Sequence, residues 1–201
     1  MVTVPTPSDV PVLWLGTAER ISAIVEMDHP GVWLMGNLAD DDRERGMGIV
    51  VEYAGADGEP QWSSPHPYRW DYTIFGKAGA APAPPDETME FTIVKHNGAL
   101  NGFNQWLLNG QAFSMETLKP VYTVHEGRRY RLKFRNASND IHPLLRVGGE
   151  PTAGVIKDVV MVGGFQEVEF DFVADHPGLT LFHCHQQLHM DFGFMFLFSY
   201  A

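Results

Sequence analysis

The sequence holds a single cysteine, Cys184, in 201 residues. No disulfide within the chain can brace it, and its redox compartment cannot be read from bridges. Positive charge is also scarce: 14 Lys and Arg stand against 25 Asp and Glu, for a formal net charge of -11. That deficit argues against a sequence-independent grip on nucleic acid or on an anionic membrane, since both need surplus cations facing phosphate. No stretch approaches the ~20 apolar residues that span a bilayer. The opening run MVTVPTPSDVPV lacks the basic start and long apolar core of a secretory signal, so any export signal has been removed or never existed. Sustained helical periodicity is missing too. The expectation is an acidic, soluble protein with neither a nucleic-acid nor a membrane partner.

What is present is alternation. Apolar and polar residues take turns in Glu90–Val94, Tyr130–Phe134 and Glu167–Phe172, the period of half-buried strands. Twenty Gly and 14 Pro punctuate the chain at intervals suited to strand connections. The chain reads as all-β. Residues 54–87 break the rhythm with an excess of Gly, Pro and Ala, which predicts a connector. Its aromatics, Trp62, Tyr68, Trp70, Tyr72 and Phe75, predict that the connector lies packed on a surface.

A repeat is visible as well. Asp28-His29-Pro30-Gly31 returns as Asp175-His176-Pro177-Gly178. The same offset sets Gly16 over Gly163, Val25 over Phe172, Leu34 over Leu181 and Gly46 over Gly193, without a gap. This register predicts two related β-domains, with residues 1–53 supplying only the closing strands of the first and residues 88–201 forming a nearly whole second. At the places of His183, Cys184, His185 and His189 the first copy has Gly36, Asn37, Leu38 and Asp42. The scaffold repeats and the metal-binding side chains do not, so a ligand role is expected in the second copy only.

The chemistry concentrates in one short segment, where His183, Cys184, His185 and His189 stand within seven positions. A strand ending at Cys184, followed by a loop returning His189, can set a thiolate and an imidazole on one metal. A second imidazole from a distant strand completes the trigonal His2Cys arrangement of blue-copper electron-transfer sites, which favours copper over zinc. His142 is the natural candidate: it follows the strand Tyr130–Phe134, and Pro143 restrains the backbone beside it. The other histidines, His29, His66, His96, His125 and His176, show no ligand spacing and read as turn or surface residues.

Here the sequence resembles the C-terminal domain of the multicopper oxidases, the laccase-like group of cupredoxins. The resemblance rests on His183-Cys184-His185-x3-His189 followed by Gly193. Asn109-Gly110 with Phe113, Asn136 before His142-Pro143, Lys157-Asp158 with Val159, and Asp175-His176-Pro177-Gly178 support it. It covers about residues 88–201 and implies a cupredoxin-like Greek-key β-barrel or sandwich, preceded by a partial copperless relative. It also implies a copper cofactor, a small-molecule reductant and dioxygen as partners, and a periplasmic or extracellular setting. By resemblance, Cys184, His189 and His142 hold a mononuclear copper, while His183 and His185 face a trinuclear copper cluster. The axial position falls on Phe194 by family spacing, with Met195 next to it.

Two departures qualify that implication. The family continues from His-Pro-x into His-x-His, whereas this chain reads His142-Pro143-Leu144-Leu145-Arg146-Val147. The family also needs two His-x-His pairs from an N-terminal domain, and the sole such pair here is His183-Cys184-His185. The trinuclear site is therefore expected to be incomplete in this chain, leaving a missing companion domain or another polypeptide to contribute. An electron-transfer or copper-binding module without enzymatic activity is the alternative. An open sheet edge predicts a possible homo-oligomer.

Overall fold

A computed structural model describes residues 3–79, 83–116, 118–145 and 154–201. The stretch after His142-Pro143 where the family carries its His-x-His lies largely outside them, at 146–153. The chain divides into two compact units, one of Met1–Asp9, Trp14–Arg20 and Asp71–Ala201, the other of Val10–Leu13 and Ile21–Trp70. No helix among the described residues is long and apolar enough to cross a membrane.

The smaller unit is built on one hairpin, in which β1 (Val32–Gly36) pairs antiparallel with β2 (Gly48–Glu52) and the short helix α1 (Asp40–Glu44) fills the connection. Arg43 lies 3.6 Å from the centroid of the Trp62 ring, so this connector aromatic is packed against its own unit.

The larger unit is a sandwich of two sheets. One contains β3 (Glu87–Leu100), β4 (Phe103–Leu108), β6 (Arg129–Asn136) and β9 (Glu167–Val173) in the order β4-β3-β6-β9. The other contains β5 (Tyr122–Val124), β7 (His142–Leu145), β8 (Val159–Val162), β10 (Thr180–Cys184) and β11 (Met195–Tyr200) in the order β5-β11-β10-β7-β8. Helix α2 (Gln187–Asp191) joins β10 to β11. The alternation read in the sequence is the cause: along β6, Tyr130, Leu132, Phe134 and Asn136 turn inward, and Arg131 and Lys133 outward. Between the sheets Phe91 and Phe134 from one side meet Phe182 and Phe196 from the other. The ring centroids are 4.8 Å apart for Phe91–Phe134, 5.1 Å for Phe134–Phe182, 4.8 Å for Phe182–Phe196 and 5.2 Å for Phe91–Phe196. Stacked pairs of this kind contribute about 0.5–1.5 kcal/mol each beyond their buried area.

Of the barrel and the sandwich that the resemblance allows, the structure shows the sandwich: the two sheets remain separate in their pairing among the described residues. Edge strands of three residues in β5 and four in β8 offer too few backbone groups to stitch one sheet onto the other. The all-β reading and the three alternating runs hold: each run lies in a strand.

The repeat is real in three dimensions. Trp33↔Val51 in the first hairpin corresponds to Thr180↔Phe198 in the second, and Gly36↔Gly48 to His183↔Met195, every residue 147 positions later. By the same shift α1 falls on α2. The bond from Asn37 N to Met47 O becomes that from Cys184 N to Phe194 O. His29 Nδ1 meets Asp28 Oδ1 at 2.6 Å, as His176 Nδ1 meets Asp175 Oδ1 at 2.5 Å, so both copies use the Asp-His pair to order the same turn.

Within the larger unit Glu19 ties the 14–20 strip down. It accepts from Gly16 N at 2.7 Å and from the Tyr72 hydroxyl at 2.7 Å, and it pairs with Lys157, whose Nζ sits 3.3 Å from the Tyr72 ring centroid.

Candidate metal centre

Three strands and a helix converge to make the site. Strand β7 lies between β10 and β8, and its pairing of Leu144 with Cys184 brings His142, at the head of β7, beside the end of β10. The chain then turns through α2, which presents His189 inward, and Phe194 N closes on His189 O at 2.8 Å. Gly193 makes that return possible. Its φ is +112°, and a Cβ there would lie 2.7 Å from Trp106 O and 2.9 Å from Ala112 Cβ, a position only glycine fits.

His142 and Cys184 are fully buried and His189 is 6% exposed. Cys184 Sγ lies 3.7 Å from His142 Nδ1 and 3.5 Å from His189 Nδ1, and the two Nδ1 atoms are 3.0 Å apart. Among the described residues this is the group of three or more His, Cys, Asp or Glu whose donor atoms fall close enough to share an ion. Metal–nitrogen bonds of about 2.0 Å and metal–sulfur bonds of about 2.3 Å, as zinc shows, placed in a trigonal plane need N···N of about 3.5 Å and S···N of about 3.7 Å. The two sulfur edges already match, and the His–His edge must open by about half an ångström. The donor set therefore fits a single soft or borderline metal, with copper favoured by its composition.

Hydrogen bonds around His142 fix which nitrogen faces the trio. Ser138 Oγ donates to Asn136 Oδ1 at 2.8 Å. Its proton so used, the hydroxyl is left to accept from His142 Nε2 at 3.3 Å. The proton then sits on Nε2, and the Nδ1 lone pair points at Cys184 and His189. Asn136 is held in turn by its own donations to Asp140 O at 2.7 Å and Gly163 O at 3.0 Å.

Burial decides the charge states. It is the chief cause that pushes His142 down to about 3, with His189 adding to the effect. Burial likewise lowers His189, against the opposing pull of Asp140. The Cys184 thiol is pushed up to about 12, chiefly by burial, despite a backbone hydrogen bond from Gln186. At neutral pH the pocket thus presents two neutral imidazoles and a thiol that gives up its proton only to a strong local positive charge, such as a metal ion supplies.

Phe194 and Met195 part company at the start of β11. Phe194 is fully buried and packs edge-on to His142, centroids 4.8 Å apart, while its carbonyl accepts from Cys184 N at 3.2 Å. Met195 is the cross-strand partner of His183 and so lies on the face opposite to Cys184. Of the two, Phe194 borders the trio.

His183 and His185 flank Cys184 and face each other with centroids 4.7 Å apart. His183 Nδ1 donates to Cys184 O at 3.0 Å, which leaves the ring's lone pair on Nε2. His185 is lowered chiefly by burial, then by neighbouring His183 and Arg20. Among the described residues no third donor joins this pair. The backbone partners of Cys184 and His183 across β7 are Leu144 and Leu145. A trinuclear cluster does not fit this donor set.

The surroundings also hold residues that spacing did not single out for the site. The Trp106 indole stacks on His189 with centroids 4.1 Å apart and planes at 29°. Its Nε1 donates to Asp140 Oδ2 at 2.8 Å, and Lys95 Nζ donates to Asp140 Oδ1 at 3.0 Å. Lys95 and Trp106 sit far from the ligand segment in sequence, and only the register of β3 against β4 brings them together.

Known proteins resemble parts of this chain. The multicopper oxidase family matches residues 146–201. Multicopper oxidase MmcO of Mycobacterium tuberculosis is 28% identical over 199 residues, covering 93% of this chain and 38% of its own length. The chain thus spans well under half of that relative. Among solved structures, Fet3p, a multicopper oxidase that functions in iron import, superposes with a TM-score of 0.52 at 15% identity, over 78% of this chain and 40% of its own. At that identity the likeness carries the fold alone.

Proposed function

We propose, from the match of residues 146–201 to the multicopper oxidase family and the likeness to a multicopper oxidase, that this chain accepts single electrons from a small reductant at a mononuclear copper held by His142, Cys184 and His189. The buried triangle of donor atoms, with its sulfur edges of 3.5 and 3.7 Å, carries the reading. Copper bound there supplies a one-electron acceptor. The residues do the rest. Ser138 fixes the tautomer of His142, and the aromatic wall of Phe194 and Trp106 excludes water and offers no fourth donor. A site without an axial sulfur stabilises the oxidised state less, which raises the potential.

In the same reading His183 and His185, which continue from Cys184 along the backbone, would hold part of a second copper site for dioxygen reduction, were donors from another polypeptide to complete it. Each event would take one electron from the reductant, whose proton leaves to solvent, and four electrons with four protons taken back from solvent would convert one dioxygen to two waters. The histidines to complete that second site come from outside these 201 residues. The first hairpin, which shares the register of the second, supports reading residues 1–53 as the remainder of a preceding copperless domain. The reductant, the periplasmic or extracellular setting and any association with a second copy are read from the family and from the open sheet edges. Light scattering tests the last of these.

The absence of a His-x-His after His142 favours a second reading, an electron-transfer module that hands its electron to another protein. One experiment separates the two. The copper-loaded chain is reduced with hydroquinone and exposed to air-saturated buffer while dioxygen consumption is recorded. Sustained uptake with excess hydroquinone supports oxidase chemistry at this chain. A bleached band that recovers without sustained uptake leaves the transfer module.

A further inference from the structure

Three contacts hold the loop that carries His189 against β4. Trp106 N donates to Phe192 O at 3.0 Å, Phe103 stacks on Phe192 with centroids 5.0 Å apart, and the Trp106 indole covers one face of His189. The indole cannot rotate away, because its Nε1 is bonded to Asp140. Asp140 is itself fixed from every side: Lys95 Nζ on its carboxylate, Asn136 Nδ2 on its carbonyl and Ser138 Oγ on its N–H at 3.3 Å. The carboxylate and the ammonium are each under one-fifth exposed, so solvent screens them incompletely. Asp140 therefore touches both halves of the site, His142 through Ser138 and His189 through Trp106.

We propose that Trp106, Asp140 and Lys95 form a positioning set for His189, holding its ring in the orientation that turns Nδ1 toward Cys184 and setting the reduction potential of a copper held there. The proposal rests on the copper reading above.

The signs follow from charge. The oxidised site carries one more positive charge than the reduced site. A carboxylate nearby favours the oxidised form and lowers the potential; an ammonium does the reverse. The face of an indole ring is electron-rich and favours a more positive imidazole beneath it, so it too lowers the potential. Loss of Asp140 and loss of Lys95 must then act in opposite directions. Packing alone gives no reason for opposite signs.

The test uses the full chain and its variants Asp140→Asn, Lys95→Met, Trp106→Leu and Trp106→Phe, in two arms. With copper bound, a redox titration follows the thiolate band. Asp140→Asn and Trp106→Leu shift the potential up, and Lys95→Met shifts it down. In the metal-free protein, NMR follows the His189 ring protons. The upfield ring-current shift imposed by Trp106 is retained in Trp106→Phe and lost in Trp106→Leu. Potentials of Asp140→Asn and Lys95→Met that move together, or not at all, overturn the potential claim. A His189 signal indifferent to Trp106→Leu overturns the positioning claim; should that variant not fold, Trp106→Phe decides by whether His189 keeps its shift. A parent protein that takes up no copper overturns the copper reading and the potential claim with it, while the metal-free arm still judges the positioning.

Discussion

Asn136→Ala removes the residue on which the His142 side of the site hangs. Asn136 is 2% exposed and uses all of its side-chain capacity: two donations from Nδ2, to Asp140 O and Gly163 O, and two acceptances at Oδ1, from Ser138 N and Ser138 Oγ. Each such bond contributes about 1 kcal/mol net, and a buried partner left unsatisfied costs as much or more. Four lost bonds destabilise the fold by about 3–4 kcal/mol, a large share of the 5–15 kcal/mol typical of a domain. That is a fall in Tm on the order of 10 °C for a chain of this size. The effect on the site is separate. With Asn136 gone, the Ser138 proton is released and can turn to His142 Nε2, which allows the wrong tautomer and a proton on Nδ1. Copper affinity falls about tenfold to a hundredfold, as expected when a metal-binding histidine loses its supporting hydrogen bond. Urea denaturation of the metal-free protein measures the first effect and anaerobic copper titration the second. A stability loss below about 1 kcal/mol together with unchanged copper affinity would refute the reasoning.

Other consequences are open to measurement. His142 stays neutral in the fold down to about pH 3, whereas in the unfolded chain it takes a proton near pH 6.5. The unfolded state then binds more protons below pH 6.5, so the metal-free protein loses roughly 1.4 kcal/mol per pH unit from there downward, about 2 kcal/mol at pH 5. His189, lowered in the same direction, deepens the loss; denaturation midpoints equal at pH 7 and pH 5 would count against this. Gly193→Ala sets a Cβ against Trp106 O at a positive φ and costs about 2 kcal/mol or more by the backbone strain it imposes. Thermal melts of the metal-free protein check it, with an unchanged Tm as the adverse result. Phe194→Met places a thioether beside His142 and lowers the potential by adding an axial donor; a redox titration reporting an unchanged or raised potential would show that position 194 does not border the metal.

Much of this architecture was legible because it is local. His183, Cys184, His185 and His189 occupy one strand-helix-strand unit, and its register was visible through the copy that keeps the scaffold with Gly36, Asn37, Leu38 and Asp42 in their places. His142 was legible from the proline beside it and from the strand before it. What stayed hidden depends on pairing across the sheets. Nothing in sequence spacing sets Lys95 opposite Trp106 or brings both to Asp140, some 45 residues from Lys95. Pro143 illustrates the same limit: read as a restraint on His142, it lies in the interior strand β7, where its carbonyl accepts from His185 N at 2.7 Å. The choice between barrel and sandwich stayed open in the sequence because edge length is a property of strand ends, the part of a pattern that sequence marks least.

Anaerobic copper(II) titration of the protein beside Cys184→Ser, followed by visible absorption and metal analysis, tests the central claim most directly. The account predicts an intense blue band saturating at one copper per chain, abolished in Cys184→Ser while the fold persists. No band, or a band that survives loss of the thiolate, would contradict it.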